Sequence, residues 1–111
     1  MTEYLHDSQG VWIAFRTDPR ARFLFNPDGD WIGWFPWDDG DAVTPGGTYL
    51  GTVHGDRLFA DVGRPYRGDP GYPGAPGHPG AAPYPGAGTY SGLPSDCDDV
   101  PSALLWPRLA S

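Results

Sequence analysis

The densest group of chemistry-bearing residues in this sequence is Asp38-Asp39-Gly40-Asp41, directly after Trp34 and Trp37. Carboxylates beside flat indole rings suit a module that stacks a sugar or another small polar ligand on tryptophan. The acids would accept hydrogen bonds from its hydroxyls. The same grouping suits a cation or an arginine-bearing partner. Trp34, Trp37, Asp38, Asp39 and Asp41, with the neighbouring Ile32, are therefore the candidate binding residues, set against the plainer reading of a solvated connection between strands. Paired acids such as Asp39 and Asp41 also perform general acid-base work when they are held at the right separation. Adjacency in a loop does not by itself set that separation.

The other reactive side chains point away from catalysis. Asn26, Asp28 and Asp30 alternate like the start of a calcium loop, but glycine falls at the fourth position instead of the sixth and Trp37 stands where a bidentate glutamate belongs. A turn explains them. His6, His54 and His78 have no spacing typical of metal ligands. Cys97 lies among Asp96, Asp98 and Asp99, whose negative charge would raise its pKa and suppress the thiolate. There is no nucleophile elbow, P-loop or dinucleotide-binding glycine pattern. The expectation is a protein that is not an enzyme, with no catalytic residue, cofactor or metal.

Composition narrows the partners. The chain of 111 residues carries a net charge of -7, and its seven arginines are scattered. Phosphate-backbone binding requires a clustered basic surface, so nucleic acid is not expected as a partner. The start has neither a basic segment nor an apolar run, and no stretch approaches the roughly 20 apolar residues that span a bilayer. A single cysteine closes no intramolecular disulfide, which fits a reducing compartment. The expected location is cytoplasmic, with no membrane partner.

The elements that would position these groups are short strands. There is no lysine, one glutamate and one glutamine, so good helix formers are scarce, whereas five Trp, six Tyr and five Phe suit sheets. Phe25-Asn26-Pro27-Asp28-Gly29-Asp30-Trp31-Ile32-Gly33-Trp34-Phe35 aligns with Val43-Thr44-Pro45-Gly46-Gly47-Thr48-Tyr49-Leu50-Gly51-Thr52-Val53 at an offset of 18, an internal duplication. Related signatures occur at Trp12-Ile13-Ala14-Phe15 and around Tyr66. The anchors Trp12, Trp31, Tyr49 and Tyr66 are spaced by 19, 18 and 17 residues. Each repeat has the length of one β-hairpin, and Asn-Pro-Asp-Gly is good chemistry for a type I turn followed by a bulge. Regular alternation would put Trp31, Gly33 and Phe35 on one face and Ile32 and Trp34 on the other. Glycines two residues past the aromatic, Gly33 and Gly51, leave room for a close approach. Four such hairpins would pack equivalent aromatics near one axis.

The repeated aromatic-x-Gly after a Pro-Asp/Gly-Gly turn resembles the four-fold beta-flower proteins, small bacterial β domains of uncharacterised function. The similarity covers about residues 8 to 68. It implies β-hairpins arranged with pseudo-four-fold symmetry and supplies no catalytic residue. Ala14 stands where glycine is expected, and Arg64-Pro65 alters the spacing of the fourth repeat. An SH3-like barrel or an open meander is the alternative architecture.

From Gly68 onward glycine recurs every third residue to Gly80 among prolines, which reads as extended polyproline II with glycine hinges. The chain thus divides into an all-β repeat domain over residues 1–67, a flexible, disordered Gly/Pro/Tyr-rich segment over 68–94 and a C-terminal tail over 95–111. The tail regains apolar character at Leu104, Leu105 and Trp106. Because the strands are apolar on both faces, one face requires a cover. The expected function is a structural or interaction module whose aromatic face is covered by a polyproline-type segment of its own chain or of a second copy. A carbohydrate- or small-ligand-binding module is the alternative.

Overall fold

The computed structural model of this chain describes residues 2–18, 20–37, 39–61, 68, 70–74, 76, 85–86, 88, 92–93 and 96–106. The chain is all-β. Its strands are β1 (Glu3–His6), β2 (Trp12–Arg16), β3 (Phe23–Phe25), β4 (Trp31–Trp34), β5 (Asp41–Val43), β6 (Tyr49–His54), β7 (Arg57–Asp61) and β8 (Cys97–Asp99), followed by one helical turn, α1 (Ser102–Leu105). They pair in sequence order, and a parallel bridge between His6 and Arg57 closes β1 onto β7 as a seven-stranded barrel. The His6 N–H donates to the Asp56 carbonyl at the seam, at 2.9 Å. β8 takes the remainder of the β7 edge, with Asp61 opposite Cys97 and Phe59 opposite Asp99.

Three hairpins repeat the same construction. In the turns at 7–11, 26–30 and 44–48, the side chains of Asp7, Asn26 and Thr44 each accept the N–H four residues on, at 2.9, 3.0 and 3.1 Å. The fourth turn residues, Gly10, Gly29 and Gly47, have φ of 84°, 85° and 93°, a left-handed conformation that costs glycine little. A bulge follows each of these three turns, with Ile13, Ile32 and Leu50 the extra residues opposite Leu5/His6, Leu24/Phe25 and Ala42/Val43. The Asn26, Asp28, Asp30 group is therefore a turn, as its chemistry suggested, with the Asn26 Oδ1 also accepting the Asp28 N–H.

The bulge corrects the expected facing of the strands. An extra residue on one strand turns the following side chains to the opposite face. Gly33 opposes Leu24 while Trp31 opposes Phe25. Ile32 joins Leu24 in the barrel core, and Trp31 joins the other aromatics outside it. The axis is filled by Leu5, Ile13, Leu24, Ile32, Leu50 and Leu58, not by the aromatic anchors. Trp12 and Trp31 instead lean along the wall, each donating its indole N–H to the carbonyl two residues on, Ala14 and Gly33, at 2.8 Å. Glycine at position 33 answers a close approach: a Cβ there would lie 2.7 Å from the Val43 carbonyl oxygen and 2.8 Å from the Leu50 side chain.

The fourth repeat differs from its expected form. Tyr66 lies outside the described residues. The strand that returns on β7 is β8, and the next residue, Val100, is buried in the core as Ile13, Ile32 and Leu50 are in their hairpins. The Pro/Gly-rich stretch thus lies between the two strands of the last hairpin. The segment from 96 to 106 belongs to the barrel and is not a separate tail. Leu105 of α1 is buried in the same core, and its carbonyl accepts from the Asn26 side chain at 2.9 Å. No helix among the described residues is long and apolar enough to cross a membrane.

Candidate functional site

Both ends of β5 and the strands beside it determine what the Trp/Asp group can do. Ile32 and Trp34 are 2% and 4% exposed, so neither offers an open face to a ligand. The Arg22 guanidinium lies over the Trp34 ring at 5.2 Å, a cation–π contact that takes the place a stacked sugar would occupy. Asp41, 4% exposed, accepts from the Thr52 hydroxyl at 2.8 Å, and its N–H donates to Asp39 at 2.9 Å. Because that hydroxyl proton is committed to Asp41, Thr52 accepts from the Tyr49 phenol beside it. Asp39 and Asp41 are thus parts of a turn and a hydrogen-bond chain. Trp37 is half-buried, Asp39 is exposed, and Asp38 lies outside the described residues.

A depression of about 470 Å³ opens beside this group, lined by Arg16, Arg20, Arg22, Phe35, Asp39 and Val53 among others. The sequence signal for this mouth is arginine: Arg16, Arg20 and Arg22 fall within seven residues of one another, at the end of β2 and in its connection to β3, and the pairing of those strands turns them to one depression. Two of them already have partners: Arg16 binds Glu3 at 2.7 Å and lies over Phe35, and Arg22 donates to the Pro36 carbonyl at 3.3 Å. This mouth favours a small anionic or polar ligand more than a sugar stacked on tryptophan.

The outer wall carries a continuous aromatic strip. Trp12, Phe15 and Phe25 are buried there, with Tyr4, Phe23 and Trp31 packed against them. Tyr4 meets Trp12 edge-on at 5.5 Å, Phe15 meets Phe25 at 5.7 Å and Phe23 meets Trp31 edge-on at 5.9 Å. Such ring pairs contribute about 0.5–1.5 kcal/mol beyond the area they bury. Tyr72, from the Pro/Gly-rich stretch, extends the strip with its ring 5.7 Å from that of Trp31. The same stretch is held elsewhere by the Gly88 N–H, which donates to the Gly10 carbonyl at 2.8 Å, and by the Gly86 carbonyl, 3.4 Å from His6 Nε2. Within the segment expected to be disordered, Pro70, Tyr72, Gly86 and Gly88 thus touch the barrel. A more apolar cleft of about 300 Å³ lies beside Trp31, between the 44–48 turn and α1.

Cys97 has the environment its neighbours suggested, with a further cause. Desolvation, then the hydrogen bond from its thiol to Asp61 at 3.1 Å, then the charges of Asp61, Asp96 and Asp98, push its pKa from 9.0 to about 11. The folded thiol keeps its proton to higher pH than the unfolded one. Its contribution to stability is therefore fully present below pH 9.0 and lost as pH rises towards about 11. At about pH 8 a shift of this size makes the thiolate about a hundredfold rarer, partly offset by its greater nucleophilicity. Alkylation of Cys97 in the native protein is expected to run about tenfold slower than in urea, followed by mass spectrometry. Equal rates would show that the thiol does not sense this environment.

The chain matches no family model, no curated protein and no solved structure.

Proposed function

We propose that this protein is a non-enzymatic interaction module, a small β-barrel whose outer aromatic strip seats polyproline-type segments, among them the one carried in its own last hairpin. The observation that carries this reading is the seating of Tyr72 on Trp31, with Pro70 against the 44–48 turn. Gly68, Gly71 and Gly74 have φ of 95°, 78° and 85°, so the segment turns at every third residue instead of running as continuous polyproline II. Its prolines still limit the conformational entropy lost on docking, and aromatic grooves are the surfaces that accept such segments. Tyr72 keeps 62% of its surface exposed, so this contact is shallow, as suits a segment that exchanges with a partner or with a second copy. The turn and chain roles of Asp39 and Asp41 weigh against acid-base chemistry, and the acidity of the whole chain weighs against nucleic acid. Membership of the beta-flower family stays within this proposal, supported by the repeated turn and bulge.

The test is a Tyr72→Ser variant of the full chain. It is expected to lose about 1 kcal/mol or less of stability in urea, given the shallow contact. Its backbone NMR shifts should be confined to Trp31 and the residues around it. A synthetic peptide of residues 68–76 added to the variant should move those resonances back. Unchanged spectra on both counts would sink the reading. The second reading, a small-ligand site, rests on the arginine-lined mouth. It requires tryptophan fluorescence to respond to a small anion or a glycan through Trp34 beneath Arg22.

A further inference from the structure

His54 of β6, Asp61 of β7 and Cys97 of β8 converge on one point of the barrel surface, from three adjacent strands. His54 Nε2 lies 3.1 Å from Asp61 Oδ1, Cys97 Sγ lies 3.1 Å from the same oxygen, and the sulfur and nitrogen are 4.0 Å apart. This is not the arrangement of a cysteine nucleophile with its base. In a nucleophilic triad the imidazole stands between thiol and carboxylate, using one nitrogen for each. Here the same imidazole nitrogen faces both, and the carboxylate lies between the other two.

Three donors facing one another suit a shared cation. Zinc bonds of about 2.0–2.3 Å to N, O and S at tetrahedral angles require donor separations of about 3.4–3.6 Å. Each observed separation lies within about half an ångström of that range, a distance that small side-chain rotations supply. We propose that His54, Asp61 and Cys97 form a three-ligand site for a first-row divalent transition ion of the zinc class, with a fourth position open to solvent. The mixed N, O and S set selects such an ion over Mg²⁺ or Ca²⁺, which take oxygen ligands.

Binding replaces the hydrogen bonds that Cys97 and His54 make to Asp61 by bonds to the ion: the thiol proton leaves to solvent, and the neutral imidazole carries its proton on Nδ1 so that Nε2 is free to ligate. The ion also sits in a favourable field, with Asp96 and Asp98 flanking Cys97 in a chain of net charge -7. The place of the site suggests its use. Asp61 and Cys97 face each other across β7 and β8, at the two ends of the long excursion in the last hairpin. An ion there would fasten that hairpin, and His54 would tie it to β6. The site does not depend on what the outer aromatic strip binds.

Cobalt supplies the probe, because a thiolate ligand gives Co²⁺ a near-ultraviolet charge-transfer band that carboxylates and imidazoles do not. Titration of the full chain with Co²⁺ is expected to raise this band with an endpoint of one ion per chain. Zn²⁺ should abolish it and Mg²⁺ should leave it unchanged. Cys97→Ser should remove the band, and His54→Ala should weaken Co²⁺ binding at least about tenfold. Absence of the band in the unaltered chain, or its survival in Cys97→Ser, would overturn the proposal. Should either variant fail to fold, the unaltered protein still decides: Zn²⁺ must shift the ring resonances of His54, and an unshifted ring overturns the site.

Discussion

A chain ending at residue 68 is expected to lose the fold. The sequence places the repeats before that point, yet the barrel is sealed by residues after it. β8 covers the β7 edge from Phe59 to Asp61, Val100 enters the core beside Gly51, and Leu105 closes the end of the barrel near Asn26. Val100 and Leu105 are 6% and 4% exposed. Burying two such side chains stabilises by about 1.5–3 kcal/mol each. Their removal also leaves the buried Asn26 amide without its carbonyl, at a cost of about 1–3 kcal/mol. Asp99 goes with them, and it accepts both the N–H and the hydroxyl of the buried Ser8, at 2.9 and 2.7 Å. The total rivals the whole stability of a small domain, about 5–15 kcal/mol. The truncated chain should give collapsed amide dispersion in NMR and no cooperative thermal transition by circular dichroism. A well-dispersed spectrum from residues 1 to 68 would mean that the repeats close without β8.

The parts of the fold that were legible in the sequence are those fixed by local chemistry. Asn26-Pro27-Asp28-Gly29 and Thr44-Pro45-Gly46-Gly47 specify their turns, and the anchor spacing of 19 and 18 gives the hairpin period. The facing of Trp31 and Ile32 was not legible, because alternation assumes a regular ladder. The turn chemistry announces a bulge, but with both strand faces apolar nothing in the pattern shows that Trp31 is the side chain it moves outside. The closing strand was hidden for a different reason. Asp61 and Cys97 are 36 positions apart, and the Pro/Gly composition between them resembles the end of a domain. The short run of Cys97-Asp98-Asp99-Val100 was the available signal, a strand-length stretch leading into the apolar Leu104-Leu105. The His54, Asp61 and Cys97 cluster follows from that pairing alone, so no spacing rule would have found it. The burial of Trp34 and Asp41 was not legible, because composition does not distinguish a buried indole under arginine from an exposed one.

Asn26→Ala is expected to cost about 3 kcal/mol or more, a larger effect than the equivalent substitution in either of the other two turns. The comparison is within the molecule, because three hairpins use equivalent turn residues for different amounts of work. Thr44 accepts one backbone N–H, that of Thr48. Asp7 accepts two, from Gln9 and Val11, both at the exposed surface. Asn26 also accepts two, from Asp28 and Asp30, but it is 1% exposed and donates through Nδ2 to the Leu105 carbonyl at 2.9 Å. Alanine would leave that carbonyl and the two turn amides without this partner, each costing about 1 kcal/mol or more where water is excluded. Asn26→Asp separates the two roles, since it keeps the acceptor for the turn and loses the donor to α1. It also sets a negative charge against the Leu105 carbonyl, so it should not rescue the fold. By contrast, Thr44→Ala removes one exposed bond and should cost about 1 kcal/mol or less. Urea unfolding of the three variants would establish the ranking. A cost for Asn26→Ala no larger than that for Thr44→Ala would show that α1 does not depend on the second turn, and that its docking rests on the apolar contacts of Leu104, Leu105 and Trp106.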